Sequence, residues 1–350
     1  MRKILYIKLK NSSFIRIDED ILKKHFEVKS FLMDTSSGLK FLWSLVKMKV
    51  FLLKNLWTAD AVFIRFADYY AFVIALFTIL FRKKLIIVVG GYDAVHIPEY
   101  QYGVYHSKLR AFCVRFAYRH ADLILPNNPT LIENTNTYSN DYPRKEGVKY
   151  FVPETKAKIQ VVYNGFKPDF WHTRTVERKE NSVLTVAFID DYKTFILKGL
   201  DSFIELAFSM PETHFTIVGI SHQFIEIFKI KIPNNLKILE RTTQEELANL
   251  YYAHKVFCLL SLTEGMPNVL CEAMLCGCIP VGSNVNAIPE IIGETGFVVM
   301  ERKIEQMKNE LEKALKAENN LSEQAKKRII DNYSIERREK ELVGVISSIK

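Results

Sequence analysis

No apolar run in the sequence is long enough to cross a bilayer. The longest, "YYAFVIALFTILF" from Tyr69 to Phe81, has 13 residues, against the roughly 20 that a spanning helix needs. The opening stretch "MRKILYIKLK" lacks the apolar core and small-residue cleavage site of a secretory signal. The expectation is a cytoplasmic protein whose five cysteines stay reduced. No CxxC pair and no HExxH string accompanies Cys271, Cys276 and Cys278. They read as small buried hydrophobes, and no metal site is expected. No GxGxxG follows the first strand of either half, which argues against a dinucleotide oxidoreductase. There is no helix-turn-helix, zinc-finger or RNP-like string, so nucleic acid is not an expected partner. Internal repeats and low-complexity segments are missing as well.

What is present fits two domains. A chain of 350 residues exceeds one ordinary core. Its 48% hydrophobic and 25% charged residues are average for a globular protein. The net charge of +8 is uneven: residues 1–160 hold 25 basic and 14 acidic side chains, net +11, and the remainder 23 and 26, net −3. A basic half attracts nucleic acid, anionic lipid or phosphorylated ligands alike, and the sign alone does not choose among them.

Short apolar runs alternate with longer amphipathic ones. "KILYIK" (3–8), "AVFIRF" (61–66), "KLIIVVG" (84–90), "ADLILPN" (121–127) and "KIQVVYNG" (158–165) read as strands. Helical stretches near 40–57, 69–82 and 106–120 separate them. The run 163–181, with Asn-Gly, Pro168 and then mixed charge, reads as a linker. A second series follows, with strands at 182–189, 214–219, 235–240, 255–261, 278–283 and 296–299. Its helices are expected at 199–208, 243–252 and 268–276, with a helical tail at 301–319, 321–332 and 334–350. The predicted class is α/β, two Rossmann-like domains in tandem, with a cleft at the carboxyl ends of the sheets.

"TEGMPNVLCEAMLCGCIPV" (263–281) holds two acids in different settings. Glu264 falls in the loop after a strand. Pro267 suits the first turn of a helix, Gly277 suits its C-terminal cap, and Glu272 lies more than a turn inside. Two readings stay open at this point. One is an ordinary helix with a solvated Glu272 and a Glu264 favoured by the macrodipole. The other is a nucleotide-sugar site: one carboxylate for sugar hydroxyls, free amides for a diphosphate and a second carboxylate for a ribose diol.

The longer string "EGMPNVLCEAMLCGCIPVGSNVNAIPEII…TGFVV" resembles the donor-site signature of glycosyltransferase family 4, with its two glutamates seven residues apart. "KGLDSFIELA", "FTIVG" and "VVYNGFKPDFW" stand in the family order. The resemblance implies the two-domain glycosyltransferase B (GT-B) fold, with 1–166 as the acceptor-binding domain and 167–333 as the nucleotide-sugar domain. A C-terminal helix, 334–350, would cross back to the first. It further implies a retaining reaction with no cofactor or metal, a nucleotide-sugar donor, and a glycan or lipid-linked acceptor. By position, Glu264 would hold the donor sugar and Glu272 the ribose, and Lys198 would neutralise the diphosphate as it leaves. Gly265, Met266, Asn268, Val269 and Leu270 would line the donor, with Gly219 and Arg241 near the base. The acceptor side would draw on Gly91, Tyr92, Asp93, His96 and His106.

Three positions depart from the family pattern. Phe188 stands where an arginine is common, with Lys193 the nearby alternative. Gly90 stands where a histidine is common, and "LKNSSF" replaces a glycine pair. A sugar-nucleotide epimerase of the same fold and a silent sugar-nucleotide-binding subunit are the alternative functions. Finally, "KFLWSLVKMKVFLLKNLW" (40–57) combines Trp43, Phe51, Leu53 and Trp57 with Lys40, Lys47, Lys49 and Lys54. That is the composition of an interfacial helix. Two readings stay open: a helix packed on the first sheet with exposed lysines, or peripheral attachment to an anionic surface, which the family resemblance implies would be the inner membrane face.

Overall fold

The computed structural model describes residues 1–139, 143–171 and 176–349. The chain forms two units. The first comprises Met1–Asn134, Lys145–Gly165 and Glu336–Lys350; the second comprises Thr135–Arg144 and Phe166–Ile335.

Six parallel strands make the sheet of the first unit: β1 (Lys3–Lys8), β2 (Glu27–Leu32), β3 (Ala61–Arg65), β4 (Lys84–Val89), β5 (Leu123–Pro126) and β6 (Lys158–Ile159), in the order β2-β1-β3-β4-β5-β6. Runs such as "LIIVV" are buried on both faces, as expected for a parallel sheet covered by helices. Helices Gly38–Asn55, Tyr69–Phe81 and Lys108–Arg119 fall where the periodicity predicts them. Each is started by an oxygen that accepts from a first-turn amide, on Ser37, Asp68 and Ser107 respectively. The expected strand 158–165 is regular only at Lys158–Ile159. Its ladder continues irregularly, the N–H groups of Gln160 and Val162 donating to Ile124 O and Pro126 O at 3.1 and 2.9 Å.

The C-terminal helix Ile335–Ser347 is fastened into this unit by a buried charge cluster. Asp18 is fully buried between two arginines. Its Oδ2 lies 2.5 Å from Arg65 Nη1, and its Oδ1 accepts from Arg338 Nε at 2.8 Å. The spare guanidinium donors reach Asn164 Oδ1 at 2.7 Å and the carbonyls of Val162 and Tyr163 at 3.1 and 2.5 Å. Burying three charges is tolerable only with such pairing.

The second sheet repeats the design with β7 (Lys179–Val186), β8 (His214–Val218), β9 (Leu236–Leu239), β10 (His254–Leu259), β11 (Ile279–Ser283) and β12 (Phe297–Val299). Its order is β9-β8-β7-β10-β11-β12, all parallel. The chain winds outward on either side of β7, so the β7/β10 boundary is a topological switch point.

Two boundaries differ from expectation. Thr135–Arg144 groups with the second unit: Asn136 Nδ2 and Arg144 Nη2 donate to Leu262 O at 3.2 and 3.3 Å, and Arg302 N–H donates to Tyr138 O at 2.8 Å. The charged run before 181 is not all linker. Residues 172–175 lie outside the described residues, but β7 already begins at Lys179, and Arg178 is spent inside the second unit. Its guanidinium donates to Cys276 O at 2.7 Å and Ser322 Oγ at 2.9 Å, satisfying carbonyls where the helix Asn268–Leu275 ends.

Candidate active site

Glu264 stands in the loop after β10, at the carboxyl end of the second sheet, and that loop is tied down along its length. Leu262 N–H donates to Leu197 O at 2.8 Å, Ser283 Oγ donates to Ser261 O at 2.6 Å, and Glu264 N–H donates to Asn286 Oδ1 at 3.0 Å. The carboxylate itself accepts from Lys198 Nζ at 2.6 Å and from Ser261 Oγ at 2.8 Å, both on Oε1. Its side chain is 10% exposed, that of Lys198 33%.

Lys198 arrives by a sharp reversal. The short helix Tyr192–Leu197, which periodicity did not predict, ends at Lys198. Gly199 then takes φ +67° before the helix Leu200–Ser209 begins. A Cβ at Gly199 would meet Leu260 O at 2.1 Å. Only glycine allows this close approach, and the approach brings the lysine against the Glu264 loop.

The helix Asn268–Leu275 carries Glu272. Pro267 occupies the position before it, with extended ψ of 107°, rather than the first helical position. Gly277 follows the helix with φ +77°, and Gly277 and Cys278 donate to Met274 O and Ala273 O at 2.9 Å each. Glu272 is half-buried, and burial around its carboxyl raises the pKa to about 7, while a hydrogen bond from Tyr251 Oη at 3.4 Å works the other way. Glu272 is not the solvated acid of the first reading, and Glu264 is not in the first turn of the helix but in the loop before it, held by Lys198 and Ser261.

The intervening residues divide. Gly265, Asn268 and Val269 are half-buried, and Met266 and Leu270 are buried. Leu270 is a core residue, contrary to its expected place lining a ligand: its N–H is spent on Pro267 O at 3.2 Å and its side chain is fully buried.

Gly219 and Arg241 close the carboxyl ends of β8 and β9 and gather around the loop after β7. Gly219, at φ +108°, packs so closely on Ala187 that a Cβ would lie 2.3 Å from its carbonyl oxygen. Arg241 Nη2 pairs with Asp190 at 2.7 and 2.8 Å, and its guanidinium carbon lies 5.4 Å from the centre of the half-exposed Phe188 ring. A cation therefore stands over the residue that replaces the expected arginine. Lys193 is exposed in the first turn of the Tyr192–Leu197 helix.

In the first unit the expected acceptor residues lie in the loop after β4. Asp93 does not face solvent. It is fully buried, accepting from the N–H groups of Gly90, Gly91 and Ala67 at 3.1, 3.2 and 2.9 Å and from Tyr118 Oη at 2.9 Å. Its carboxylate shapes the loop, so it is a scaffold group and not an acceptor contact. Burial raises its pKa. Gly91 is buried at φ +128°, and Tyr92 Oη accepts from Arg110 Nη1 at 2.7 Å. His96 is half-buried, His106 is exposed, and their rings are 6.3 Å apart. Burial and the neighbouring His106 lower the pKa of His96.

Sequence reasoning missed Ser261 and Asn286. The second lies in "SNVNAIPE", a string that was legible but to which no role was attached. The five cysteines are buried free thiols. Among the described residues no group of three or more His, Cys, Asp or Glu is placed to hold a metal ion. Nor is any described helix long and apolar enough to cross a membrane.

Two parallel six-stranded sheets with a charged site at the carboxyl end of the second define the glycosyltransferase B fold class. The solved structure of Anabaena HepE, in complex with UDP and glucose, superposes over 100% of both chains with a TM-score of 0.72 at 16% identity. Sucrose-phosphate synthase of Thermosynechococcus elongatus superposes over 99% of this chain and 98% of its own, with a TM-score of 0.74 at 13% identity. Residues 175–331 match the family model for glycosyl transferases group 1, and the second unit is a domain of that family. A probable sucrose-phosphate synthase of Thermosipho melanesiensis is 29% identical over 264 residues, 69% of this chain and 58% of that protein. The serotype-specific mannosyltransferase WbdA of Escherichia coli is 36% identical over 73 residues, 21% of this chain and 9% of that one. The chain thus spans less than two thirds of the length of either relative.

Proposed function

We propose that the protein transfers a sugar from a nucleoside diphosphate sugar to an acceptor hydroxyl, with retention of configuration and without a metal. The observation that carries this reading is the Lys198–Glu264 pair at 2.6 Å, held by buried loop contacts beside the helix that presents Glu272. An ammonium has three N–H donors. Lys198 spends one on Glu264 and offers the rest to the diphosphate, stabilising the charge that develops as the glycosidic bond breaks. Glu264, held by Lys198 and Ser261, accepts from sugar hydroxyls. Glu272 accepts from the ribose diol, and Arg241 over Phe188 adds positive charge on the base side. The acceptor is a glycan or lipid-linked saccharide, reached at an anionic membrane surface by the basic first half of the chain.

Purified protein is incubated with a panel of nucleoside diphosphate sugars, with and without oligosaccharide and lipid-linked acceptors, in the presence of EDTA. Release of nucleoside diphosphate that requires an acceptor supports transfer. Conversion of donor alone would identify an epimerase, and a donor-induced rise in melting temperature with no turnover across the acceptor panel would identify a binding subunit. Loss of turnover in EDTA overturns the metal-free element.

A further inference from the structure

The helix Gly38–Asn55 has two apolar faces. Ser44, Met48 and Leu52 are buried against the first unit's core. At about 100° per residue, Leu39, Leu42, Trp43, Val46, Val50 and Leu53 fall on the opposite side, and all are exposed. Trp43 is 67% exposed, and Trp57, just past the end of the helix and about one turn beyond Leu53, is 74% exposed. The lysines border this stripe. Lys40, Lys47 and Lys54 follow one margin at seven-residue spacing, Lys49 lies on the other, and all four are exposed. One helix face is therefore accounted for by the core and the other by nothing in the unit.

The surface continues onto two neighbouring helices. Trp57 meets Phe81 edge to face at 4.9 Å, and Phe72 meets Phe112 and Phe116 at 5.7 and 4.9 Å. This links Gly38–Asn55 through Tyr69–Phe81 to Lys108–Arg119. Leu80 is 74% exposed and Phe112 56%. An apolar surface that spans three helices exceeds the scattered exposure normal for a soluble chain. Across these helices the sequence holds eight basic residues, four in the first and four in the third, and no acidic one. A second copy placed against this face would set lysine against lysine with no carboxylate from these helices to offset it. An anionic lipid surface meets both properties, taking the tryptophans and leucines at the headgroup boundary and the lysines at the phosphates.

We infer that the outer face of the helix Gly38–Asn55, with Trp57 and Leu80, is a membrane-docking surface that lies flat on anionic phospholipid. This deepens the membrane element of the proposed function and rests on that element alone, since nothing in it requires sugar transfer.

The test is co-sedimentation of the full chain with vesicles of phosphatidylcholine, alone or with about a quarter phosphatidylglycerol, with no sugar donor present. Binding is expected to the anionic vesicles only and to weaken as salt rises. The W43S/W57S pair, and separately K40E/K47E/K54E, are each expected to weaken binding by about tenfold or more while the chain stays folded, since the side chains are exposed and only the edge contact of Trp57 with Phe81 is lost. Absence of binding at low salt, or binding that neither variant weakens, overturns the inference. So does a dimer in sedimentation velocity that W43S/W57S converts to monomer, because a second copy would then own the face. Vesicle binding without acceptor-dependent nucleotide release would leave the docking surface standing and remove the transferase reading.

Discussion

Replacing Glu272 by glutamine should make the protein more stable and a poorer binder of its donor. The carboxyl is held in a desolvated site with one hydrogen bond, from Tyr251 at 3.4 Å, and its pKa rises from 4.5 to about 7. A raised folded-state pKa means that the native state holds the proton where the unfolded chain has released it. Stability from this group is full below about pH 4.5 and is lost as pH climbs through 7. At about 1.4 kcal/mol per pH unit, the ionised carboxylate costs the folded protein up to about 3 kcal/mol at pH 8. Glutamine keeps the shape and still accepts from Tyr251 but never ionises. Urea unfolding at pH 8 should therefore show Glu272→Gln more stable by up to about 3 kcal/mol, with the gain largely gone at pH 5. Nucleotide-sugar affinity should drop about tenfold in the same variant, because a charged acceptor is replaced by a neutral one. In the wild type, affinity should weaken as pH falls below about 7, where the carboxylate is protonated. A stability difference that is the same at pH 5 and pH 8 would show the carboxyl to be solvated and refute the reasoning.

Three further perturbations follow from named contacts. On the proposed function, Glu264→Ala takes away about two charge-assisted hydrogen bonds to the sugar, each about 1.5–3 kcal/mol, so turnover should fall roughly 10²- to 10⁴-fold; a loss under threefold with the correct donor would contradict its role. Gly199→Ala forces a Cβ to within 2.1 Å of Leu260 O at φ +67°. It should cost about 1–3 kcal/mol and displace Lys198, and an unchanged melting temperature would disprove the constraint. Asp18→Ala leaves Arg65 and Arg338 facing each other without their buried carboxylate. It should destabilise the first unit by about 3–5 kcal/mol, read by denaturant unfolding, and a cost under about 1 kcal/mol would mean that the cluster is open to water.

The sheets were legible because parallel strands buried on both faces leave unbroken apolar runs, and eleven of the twelve strands of the two sheets start within three residues of where those runs predict. The exceptions are instructive. Strand β2, "EVKSFL", is an edge strand that keeps much of its surface exposed, so it has no apolar run to find. Strand β6 was legible, but its regular part stops at Ile159 because the pairing beyond becomes irregular. The short helix Tyr192–Leu197 was missed for want of length, although Asp191 caps it by accepting from Thr194 N–H at 2.9 Å. In the site, Glu264, Lys198 and Glu272 were named from the resemblance to the family string, spacing alone having left both readings of the glutamates open. Ser261 and Asn286 were not, since they act by holding a loop: Ser261 reaches Glu264 through the shape of the turn after β10, and Asn286 reaches it only once β10 and β11 lie side by side.

The two substituted family positions differ physically, and the difference lies in residues distant in sequence. At Phe188 the missing cation is not lost from the neighbourhood. Arg241, delivered by the end of β9, sets its guanidinium over the ring, where cation–π attraction and the Asp190 pair hold it. Gly90 is another matter. A Cβ there would lie 1.9 Å from the Phe66 ring, and Phe66 is itself fixed at the end of β3 with φ +68°. No side chain fits at 90 while that ring is in place, so a histidine would require moving Phe66. Beside Phe188 there is thus a guanidinium, paired with Asp190, whereas the loop after β4 has an apolar ring against Gly90 and no imidazole at that position. A change of that kind alters what the first unit can contact, and leaves the Lys198–Glu264 arrangement in the second unit untouched.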